Sequence, residues 1–431
     1  MQIMKKNKLQ IGMIGCGVIG SNIFDIISKR HADVYKDHLV VKSIIVRDIE
    51  KKRDLNLLGT KISNDISDVV KDNEIDLVIE LMGGEEIAFD YISKCLMSGK
   101  HVVTANKEVI AKRGSELFKI ANNNSVELRY EASVGGGIPI ISSLGNDFSS
   151  NKISGIRAII NGTTNYILTR MSDGTSPFSE ILKDAQKLGY AETDPTADVE
   201  AFDPIYKIII LSNLAFGINP DHNLIYREGI KDIKSKEFIY AKELGFAIKL
   251  IASAQKFSKK LLIRVHPALI PKDIPMANVN SSLNMIEVNG YLTGPLWFQG
   301  AGAGAETTSS AILNDVFRIK DEISKSEKQK TKIFPEDLQL LSMDMHECKY
   351  YLRITVKDKA GVLARLSKIL GDNGISINTV LQKDTDVKFN NAELVIMTHK
   401  ANEKIMMNAI DNIEKLNDVV KFDSLLRVEE Y

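Results

Sequence analysis

The amino-acid sequence predicts an α/β protein with three parts: a parallel sheet, an α+β middle region and a small C-terminal module. In the first third, short β-branched runs alternate with amphipathic helical patterns, which is typical of βαβ units in a parallel sheet. A charged stretch at Lys320–Lys332 contains almost no apolar residue and indicates a helix end or a linker. From Tyr350 onwards, strand and helix patterns follow each other in the order βαββαβ.

Each predicted element rests on a local residue pattern. The strands of the first sheet are runs at Leu9–Ile14, Leu39–Val46, Asp76–Glu80, His101–Thr104 and Val126–Glu131. In the helix after the first strand, Ile19, Ile23 and Ile26 recur at near-helical spacing. The middle region has a strand pattern at Ile153–Ile160 and helical patterns near Ser179–Leu188 and Pro204–Phe216. The C-terminal module has strand patterns at Tyr350–Val356, Glu393–Met397 and Val419–Val428.

These patterns divide the 431 residues into four segments, since a chain of this length is too long for one ordinary core. The parallel sheet occupies residues 1–132, and we expect a segment near 300–320 to complete it. Residues 133–318 form a second domain of the α+β type. Residues 319–346 form a linker that contains Pro335, and residues 347–431 form the C-terminal module.

Composition argues against several classes of protein. The 56 basic and 56 acidic residues give a formal net charge of +0, which disfavours a broad surface for nucleic acid or an anionic membrane. No uncharged apolar run approaches the length of a membrane span. Cys16, Cys95 and Cys348 are scattered without a CxxC pair, so we expect reduced thiols and a cytoplasmic location. We therefore expect neither a nucleic-acid nor a membrane partner.

A glycine motif, Gly15-Cys16-Gly17-Val18-Ile19-Gly20, follows the first predicted strand and opens the first predicted helix. Gly15 would make the tight turn, Gly17 would let the backbone approach a pyrophosphate, and Gly20 would let the helix pack close to the strand. The amide groups at the start of the helix, around Val18 and Ile19, would face the phosphates. The motif in this setting predicts a dinucleotide site, with a glycine turn of another doubly wound fold as the alternative.

The end of the second strand bears on the choice between NAD and NADP. Asp48 could bind the ribose hydroxyl groups of NAD, whereas Arg47, with Lys51, Lys52 and Arg53, could bind the 2′-phosphate of NADP. The basic cluster favours NADP, although it could equally be a solvated loop.

Several segments resemble, in order and spacing, the homoserine dehydrogenase family. They are Glu80–Gly84, Thr104–Lys107, Glu131–Pro139, Asn161–Asn165, Gly189–Pro195, the residues Asp198, Asp203 and Lys207, and Gly302–Gly304. The resemblance spans about Leu9 to Leu313. Ala201, Thr307-Thr308 and Pro204 depart from the usual pattern, and Pro204 could alter how its helix begins. Because the first predicted strand starts at Leu9, we expect a monofunctional enzyme without a fused kinase.

This resemblance implies the reduction of L-aspartate 4-semialdehyde to L-homoserine, a step in threonine, methionine and isoleucine biosynthesis, and makes residues 133–318 the substrate-binding and dimerisation domain. A positioned cation would stabilise the developing alkoxide and donate a proton to it. Lys207 matches the family's proton donor and Lys107 a residue beside the nicotinamide. Glu192, Asp203 and Asp198 match acids that bind the substrate. Cofactor contacts are implied for Thr104, Lys107, Gly189 and Gly304, beside the glycine motif and Arg47.

Two of these residues have structural alternatives. Asp203 followed by Pro204 is what an N-cap with proline at the first helical position looks like. Lys207 could be a solvated helical lysine, but its isoleucine neighbours indicate a buried helix, and it would share one helical face with Asp203.

A glycine run, Gly135–Gly137, offers no side chains and must serve backbone geometry. The resemblance implies that the segment wraps a monovalent cation, typically sodium, with backbone carbonyls of Glu131, Val134, Gly136 and Ile138. Oxygen ligands suit a hard cation. The alternative is an ordinary glycine-rich turn.

The C-terminal module resembles an ACT domain, a ferredoxin-like βαββαβ fold, and the first domain resembles a Rossmann domain. The segments that carry the ACT resemblance are Lys357–Leu363 and Gly374–Asn378. Such domains commonly bind small amino acids at the strand-to-helix turn, here Asp358 to Gly361, and pair across sheet edges. We expect threonine as the effector, with methionine and isoleucine as alternatives, and we expect a homodimer or homotetramer. The alternative is a dimerisation module that binds no ligand.

Two other functions fit the sequence less well. Aspartate-semialdehyde dehydrogenase has a similar architecture but needs a nucleophilic cysteine, and none of the three cysteines lies in a suitable segment. A nicotinamide-sensing regulator could retain the first and last domains. The presence of both lysines and both substrate acids argues against it, because a sensor needs no proton donor.

Overall fold

A computed structural model describes residues 8–53, 55, 57, 59–174, 176–325, 338–386 and 390–430. The chain forms two compact units. Unit 1 consists of Met1–Ile153, Tyr206–His222 and Val288–Glu336, and unit 2 consists of Ser154–Ile205, Asn223–Glu287 and Asp337–Tyr431. No helix in the described ranges is long and apolar enough to cross a membrane.

The strands and helices are numbered in chain order. The strands are β1 Leu9–Ile14, β2 Leu39–Ile45, β3 Lys61–Ser63, β4 Leu77–Glu80, β5 His101–Thr104, β6 Leu128–Arg129, β7 Ile153–Ile159, β8 Tyr226–Arg227, β9 Phe246–Phe257, β10 Lys260–Pro271, β11 Leu283–Gly290, β12 Gly294–Ala301, β13 Gln339–Leu340, β14 Glu347–Lys357, β15 Ile377–Asp386, β16 Asn391–Thr398, β17 Ala401–Asn402 and β18 Val419–Val428. The helices are α1 Val18–Asp25, α2 Ala32–Tyr35, α3 Ser67–Val70, α4 Glu86–Met97, α5 Lys107–Asn124, α6 Ile140–Ser142, α7 Gly162–Asp173, α8 Phe178–Lys187, α9 Thr196–Val199, α10 Phe202–Phe216, α11 Ser235–Glu243, α12 Ala305–Lys325, α13 Val362–Asp372 and α14 Glu403–Glu414.

Unit 1 contains a parallel sheet with the strand order β3-β2-β1-β4-β5-β6. This is the order of a doubly wound dinucleotide-binding fold, in which the connections reverse direction between β1 and β4. Apolar residues of β1, β2 and α1 form one core cluster with Ile312, Val316 and Ile319 of α12. The late helix α12 therefore packs against the beginning of the chain.

Unit 2 is built on a mixed sheet in which β7, β9, β10, β18, β14, β16 and β15 follow one another. The long strands β9 and β10 form an antiparallel hairpin from Phe246↔Pro271 to Phe257↔Lys260. The C-terminal part has the order β14-α13-β15-β16-α14-β18, with α13, α14 and the sheet sharing one core cluster. Both the βαββαβ module and the parallel sheet were predicted, and the fold class is confirmed.

Several element bounds differ from the predicted ones. The strand predicted at Val126–Glu131 is only Leu128–Arg129, because Glu131–Ser133 turns into a short 3₁₀ helix. The first part of the charged stretch at Lys320–Lys332 belongs to helix α12, which ends at Lys325. The rest of that stretch, Pro335 and much of the predicted linker lie outside the described residues.

Candidate active site

The glycine motif forms the turn between β1 and α1. Gly15 has a φ of 97°, and a Cβ there would lie 2.8 Å from the carbonyl oxygen of Leu81. A Cβ on Gly20 would lie 2.6 Å from the carbonyl oxygen of Gly15, so the helix can begin this close to the strand only without a side chain. No described atom lies within 4 Å of a Cβ built on Gly17. The turn thus leaves open space beside the first amide groups of α1, where a pyrophosphate is expected to bind.

The loop after β2 lies at the same edge of the sheet, since β2 pairs with β1. The carboxylate of Asp48 accepts hydrogen bonds from the main-chain amides of Glu50 and Lys51, at 3.0 and 3.2 Å. Arg53 donates to main-chain carbonyls of the same loop. Arg47 is exposed. Asp48 and Arg53 therefore shape the loop, whereas Arg47 faces solvent.

Two neighbouring strands, β4 and β5, end in a buried polar cluster. The Thr104 hydroxyl donates to the carboxylate of Glu80 at 2.5 Å, and the main-chain amide of Met82 donates to its other oxygen at 2.6 Å. The Thr104 hydroxyl also accepts from the main-chain amide of Asn106 at 2.9 Å. Burial raises the pKa of Glu80. Glu80 thus fixes the orientation of Thr104, a candidate for cofactor binding. The one sequence signal for this role of Glu80 is its place in a segment that matches the family.

Lys107 is the first residue of α5, and Asn106 caps that helix. The Asn106 side chain accepts from the amide of Val109 at 3.1 Å and donates to the carbonyl of Gly84 at 2.7 Å. These bonds join the end of β5 to the loop after β4. They place Lys107 at the carboxyl edge of the sheet, where open α/β folds bind ligands.

The glycine run Gly135–Gly137 follows the short turn after β6. Gly136 has a φ of 56°, and a Cβ there would lie 2.6 Å from the main chain of Gly302. The buried carboxylate of Glu131 accepts from the amides of Ile141 and Ser142, at 2.9 and 2.8 Å. Since that carboxylate serves the main chain, the Glu131 oxygen that fits the implied cation is its carbonyl, as for Val134, Gly136 and Ile138.

Two further residues of unit 1, Gly304 and Asp315, lie just before helix α12 and on it. Gly304 precedes α12 with a φ of 127°, a conformation that favours glycine, and its carbonyl accepts from the Thr308 amide at 3.0 Å. On the same helix, the carboxylate of Asp315 accepts from the amide of Glu131 at 2.8 Å, and burial raises the pKa of Asp315 to about 7.

Helix α10 carries both Asp203 and Lys207, four residues apart and therefore on one face. Both are buried, with exposures of 3% and 9%. The helix begins at Phe202, so Asp203 lies inside its first turn and is not the capping residue before it. Ile205, Ile208 and Ile209 beside them are buried, which excludes the solvated-lysine alternative for Lys207.

The substrate-acid candidates of unit 2 are only partly brought together. The side-chain amide of Asn161 donates to Asp198 at 2.6 Å and to Asp203 at 2.8 Å, which joins these two acids. Glu192 is exposed in the loop after α8, where Gln186 donates to its carbonyl at 3.0 Å. Gly189, with a φ of 77°, ends α8 in the same loop. Asn161 belonged to a matched segment, but no role had been predicted for it.

Comparison with known proteins gives the same result along the whole chain. The model of the family "Homoserine dehydrogenase" matches residues 139–317, and "Homoserine dehydrogenase, NAD binding domain" matches residues 15–131. The ACT domain model matches residues 350–418. A homoserine dehydrogenase of Helicobacter pylori is 38% identical over 428 residues, which cover 98% of this chain and 100% of the relative. One of Bacillus subtilis is 35% identical and covers 98% of both.

The chain belongs to the homoserine dehydrogenase family. Solved structures agree: a homoserine dehydrogenase from Thiobacillus denitrificans superposes with a TM-score of 0.91 at 36% identity over 98% of each chain. A hyperthermophilic archaeal homoserine dehydrogenase in complex with NADPH has a TM-score of 0.62 at 25% identity, covering 73% of this chain and 98% of that one. The chain is an oxidoreductase with a nicotinamide-dinucleotide domain and an ACT domain, and it interconverts L-homoserine and L-aspartate 4-semialdehyde. The predicted family, reaction, nicotinamide-dinucleotide domain and ACT domain are confirmed.

Proposed function

We propose that Lys207 is the proton donor of this homoserine dehydrogenase, and that Glu192, Asp203 and Asp198 bind the substrate's ammonium group. The observation that carries this proposal is the buried turn of α10, which holds a carboxylate and an ammonium group on one helical face. A bound nicotinamide supplies the hydride. The Lys207 ammonium group donates its proton to the oxygen of the former aldehyde, where negative charge develops. Lys107, at the carboxyl edge of the parallel sheet, polarises the same carbonyl.

Replacement of Lys207 tests the proton-donor role. Lys207→Ala should lower kcat at least about 100-fold, because general-acid assistance is worth that much, while the Kd for the nucleotide stays unchanged. Lys119→Ala, an exposed lysine on α5, is the control. A Lys207→Ala enzyme that retains more than about a tenth of the wild-type kcat would contradict the role.

The substrate-binding role of Glu192 is tested by Glu192→Gln. Loss of a charge-assisted hydrogen bond should raise the KM for homoserine roughly 10- to 150-fold and leave the KM for the nucleotide unchanged. Glu180→Gln, an exposed carboxylate on α8, is the matched control. If both variants have the wild-type KM, Glu192 does not contact the ammonium group.

NADP is the cofactor that we propose for the enzyme. The Asp48 carboxylate is engaged by two main-chain amides of its own loop, while Arg47, Lys51 and Lys52 are exposed beside it. A 2′-phosphate would meet positive charge there and a ribose hydroxyl would compete for Asp48. Arg47→Ala should therefore raise the KM for NADPH and not that for NADH, and equal changes would contradict the choice.

A monovalent-cation site at Glu131, Val134, Gly136 and Ile138 is also proposed. The left-handed φ of Gly136 and the close approach of Gly302 support it, because they shape a loop from main-chain carbonyls alone. A bound sodium ion would supply positive charge that holds these carbonyls in place. Activity should rise on adding NaCl at an ionic strength kept constant with a tetraalkylammonium salt. An unchanged rate would contradict the site.

We further propose that the ACT domain binds threonine at the turn from Asp358 to Gly361. Gly361, with a φ of 86°, is the residue before α13 and has no side chain to cap it, so the first amides of that helix can face a carboxylate. Asp358 would face the ammonium group. Millimolar threonine should inhibit the full-length enzyme but not Asp358→Ala. Equal inhibition of both would contradict this location, and an enzyme that ignores threonine would favour a dimerisation module.

We also propose an oligomeric state and a cellular location for the enzyme. A homodimer or homotetramer is supported by β15, the last strand in the order of the unit 2 sheet, which leaves a sheet edge that another subunit would cover. Light scattering after size-exclusion chromatography measures this state.

A cytoplasmic location is supported by three free cysteines, two of them buried, with the pKa of Cys95 and of Cys348 raised by burial to about 12.

A further inference from the structure

Asn161 lies between β7 and α7 in a fixed orientation. Its side-chain oxygen accepts from the main-chain amide of Thr164 at 2.8 Å and from the Thr164 hydroxyl at 2.9 Å. A main-chain amide can only donate a hydrogen bond, so the Asn161 oxygen must face Thr164. The NH₂ group of Asn161 consequently points in the opposite direction and has two protons to donate.

Those two protons are given to two carboxylates. The Asn161 nitrogen lies 2.6 Å from Oδ1 of Asp198 and 2.8 Å from Oδ2 of Asp203. Asn161 and Asp203 are 4% and 3% exposed, whereas Asp198 is half-buried, so water can reach the pair only from the Asp198 side. Two carboxylates this close repel each other, and hydrogen bonds to the charged forms offset that repulsion. One amide therefore joins the two acids and holds them side by side.

The base of this arrangement is rigid, because the first turns of α7 are anchored on three sides. The Asn165 side chain donates to the carbonyls of Val279 and Leu283, each at 3.0 Å. The Thr163 hydroxyl donates to the carbonyl of Tyr190 at 2.6 Å. A Cβ on Gly162 would lie 2.9 Å from the carbonyl oxygen of Ser282. The Asn161 side chain cannot follow the acids if they move, so it determines where they are.

We propose that Asn161 is a positioning residue that holds Asp198 and Asp203 as one preformed pair for the substrate's ammonium group. The inference rests on the proposed substrate-binding role of these two acids. Because the two acids are already in place, less conformational entropy is lost when the substrate binds. Asn161 therefore contributes to homoserine affinity without contacting the reacting atoms. Proton donation belongs to another side chain and is not affected.

Two substitutions keep the helix cap and remove only the amide donors. Serine and aspartate are both good capping residues, so Asn161→Ser should unfold near the wild-type temperature, whereas Asn161→Asp also places a third carboxylate beside the two acids and should unfold at a lower temperature. Asn161→Ser should raise the KM for homoserine about 10-fold. Asn161→Asp should raise it further, about 100-fold, because a third carboxylate then faces the other two. The kcat and the KM for the nucleotide should stay within about threefold of wild type.

Asn402→Asp is the matched control, because Asn402 caps α14 through the Lys404 amide in the ACT domain. It should leave every kinetic constant unchanged. Wild-type KM values for homoserine in both Asn161 variants would overturn the positioning role. A lowered unfolding temperature of Asn161→Ser without a raised KM for homoserine would also overturn it, and would show that the amide donors of Asn161 serve only the fold.

The proposed role of the acids is tested separately by Asp203→Asn, alone and combined with Asn161→Ser. If Asp203→Asn raises the KM for homoserine and the double variant with Asn161→Ser has nearly the same KM, the two residues act as one unit, which supports the inference. A raised KM in Asp203→Asn with wild-type KM values in the Asn161 variants overturns the positioning role alone. An unchanged KM in Asp203→Asn overturns the role of the acid and this inference with it.

Discussion

At the scale of single residues, unit 2 contains a buried lysine outside the proposed chemistry. Lys249 of β9 is 3% exposed and donates to the carbonyl of Val279 at 2.6 Å and to the side-chain oxygens of Asn280 and Asn165, at 3.1 and 3.3 Å. Burial lowers the pKa of Lys249 to about 8, against an attraction to Asp173 that raises it. The lysine thus supports α7, the helix that Asn161 caps, at the cost of burying a charge.

The lowered pKa of Lys249 predicts a stability that depends on pH. Below pH 8 the amine is charged in both states, and the folded state carries the whole desolvation cost, roughly 3 kcal/mol for this shift. Between pH 8 and the unfolded pKa near 10.5 the unfolded chain binds more protons, so the free energy of unfolding rises with pH. Relative to Lys249→Met, the wild type should therefore gain about 2–3 kcal/mol between pH 7.5 and pH 10.

Urea unfolding at the two pH values measures this difference. Lys183→Met, an exposed lysine on α8, is the control and should show no such change relative to wild type. The quantity to compare is the free energy of unfolding of the wild type minus that of Lys249→Met. If this difference stays constant or decreases as the pH rises, the buried amine has an ordinary pKa.

In the turn between β1 and α1, two glycines of one sequence motif serve different purposes: Gly20 allows close packing, and Gly17 leaves space for the nucleotide. A side chain on Gly20 would collide with the carbonyl of Gly15, whereas no described atom would touch one on Gly17. Gly20→Ala should therefore lower the unfolding temperature by several degrees, as overpacking of 1–3 kcal/mol does. Gly17→Ala should unfold like the wild type but bind the nucleotide at least 10-fold more weakly, because its methyl group enters the space for the pyrophosphate.

Gly114→Ala, on α5, is the control for both variants. Its Cβ would make ordinary contacts with Phe118 and Ile110, at 3.5 and 3.6 Å, so alanine should stabilise the helix slightly. Thermal unfolding and nucleotide titration give the two measurements. Loss of folding in Gly17→Ala, or normal nucleotide binding by that variant, would contradict the division of roles.

Elements with a clear local pattern could be predicted from the sequence, and others could not. The strand at Leu9–Ile14 and the last strand at Val419–Val428 were predicted with their observed bounds. The hairpin of β9 and β10 was not predicted, because most of both strands is buried on both faces and the polar–apolar alternation is absent. The roles of Asn161 and Lys249 likewise give no local signal, since the acids that Asn161 joins lie 37 and 42 residues away and the partners of Lys249 lie 30 to 84 residues away.

At the scale of the whole molecule, the C-terminal strand belongs to two sets of contacts within unit 2. Strand β18 pairs antiparallel with β14 of the ACT domain and parallel with β10 through Ala268↔Arg427 and Leu269↔Val428. Glu429, just beyond it, is buried and contacts Arg264 at 2.7 Å and Arg157 at 3.4 Å. Burial would raise the pKa of Glu429, but Arg264, His266 and Arg157 lower it to about 2. The ACT domain is therefore joined to the β10 sheet by a buried ion pair.

This ion pair changes what is expected of a chain without its ACT domain. The linker predicted at residues 319–346 and the separate module predicted after it would let the rest of the enzyme fold alone. A chain ending at Glu336, however, keeps the guanidinium group of Arg264, which is buried in the full-length protein, and loses the Glu429 carboxylate and the β18 contact with β10. Removing one partner of a buried ion pair costs about 3–5 kcal/mol, so the truncated enzyme should be poorly soluble or unfold at a much lower temperature.

Arg264→Leu provides the decisive comparison, because its effect should change sign with the length of the chain. In the full-length enzyme it removes the shorter ion pair of the buried Glu429, leaves the longer contact with Arg157 and should be destabilising, whereas in the truncated enzyme it removes a guanidinium group that has lost Glu429 and should be stabilising. Thermal unfolding of the four proteins forms a complete thermodynamic cycle. Arg365→Leu, whose partner Asp418 lies on the ACT domain at a more exposed position, is the full-length control and should have a small effect. If Arg264→Leu destabilises both lengths equally, Arg264 contributes through its own packing, and the ACT domain is not joined to the sheet by charge.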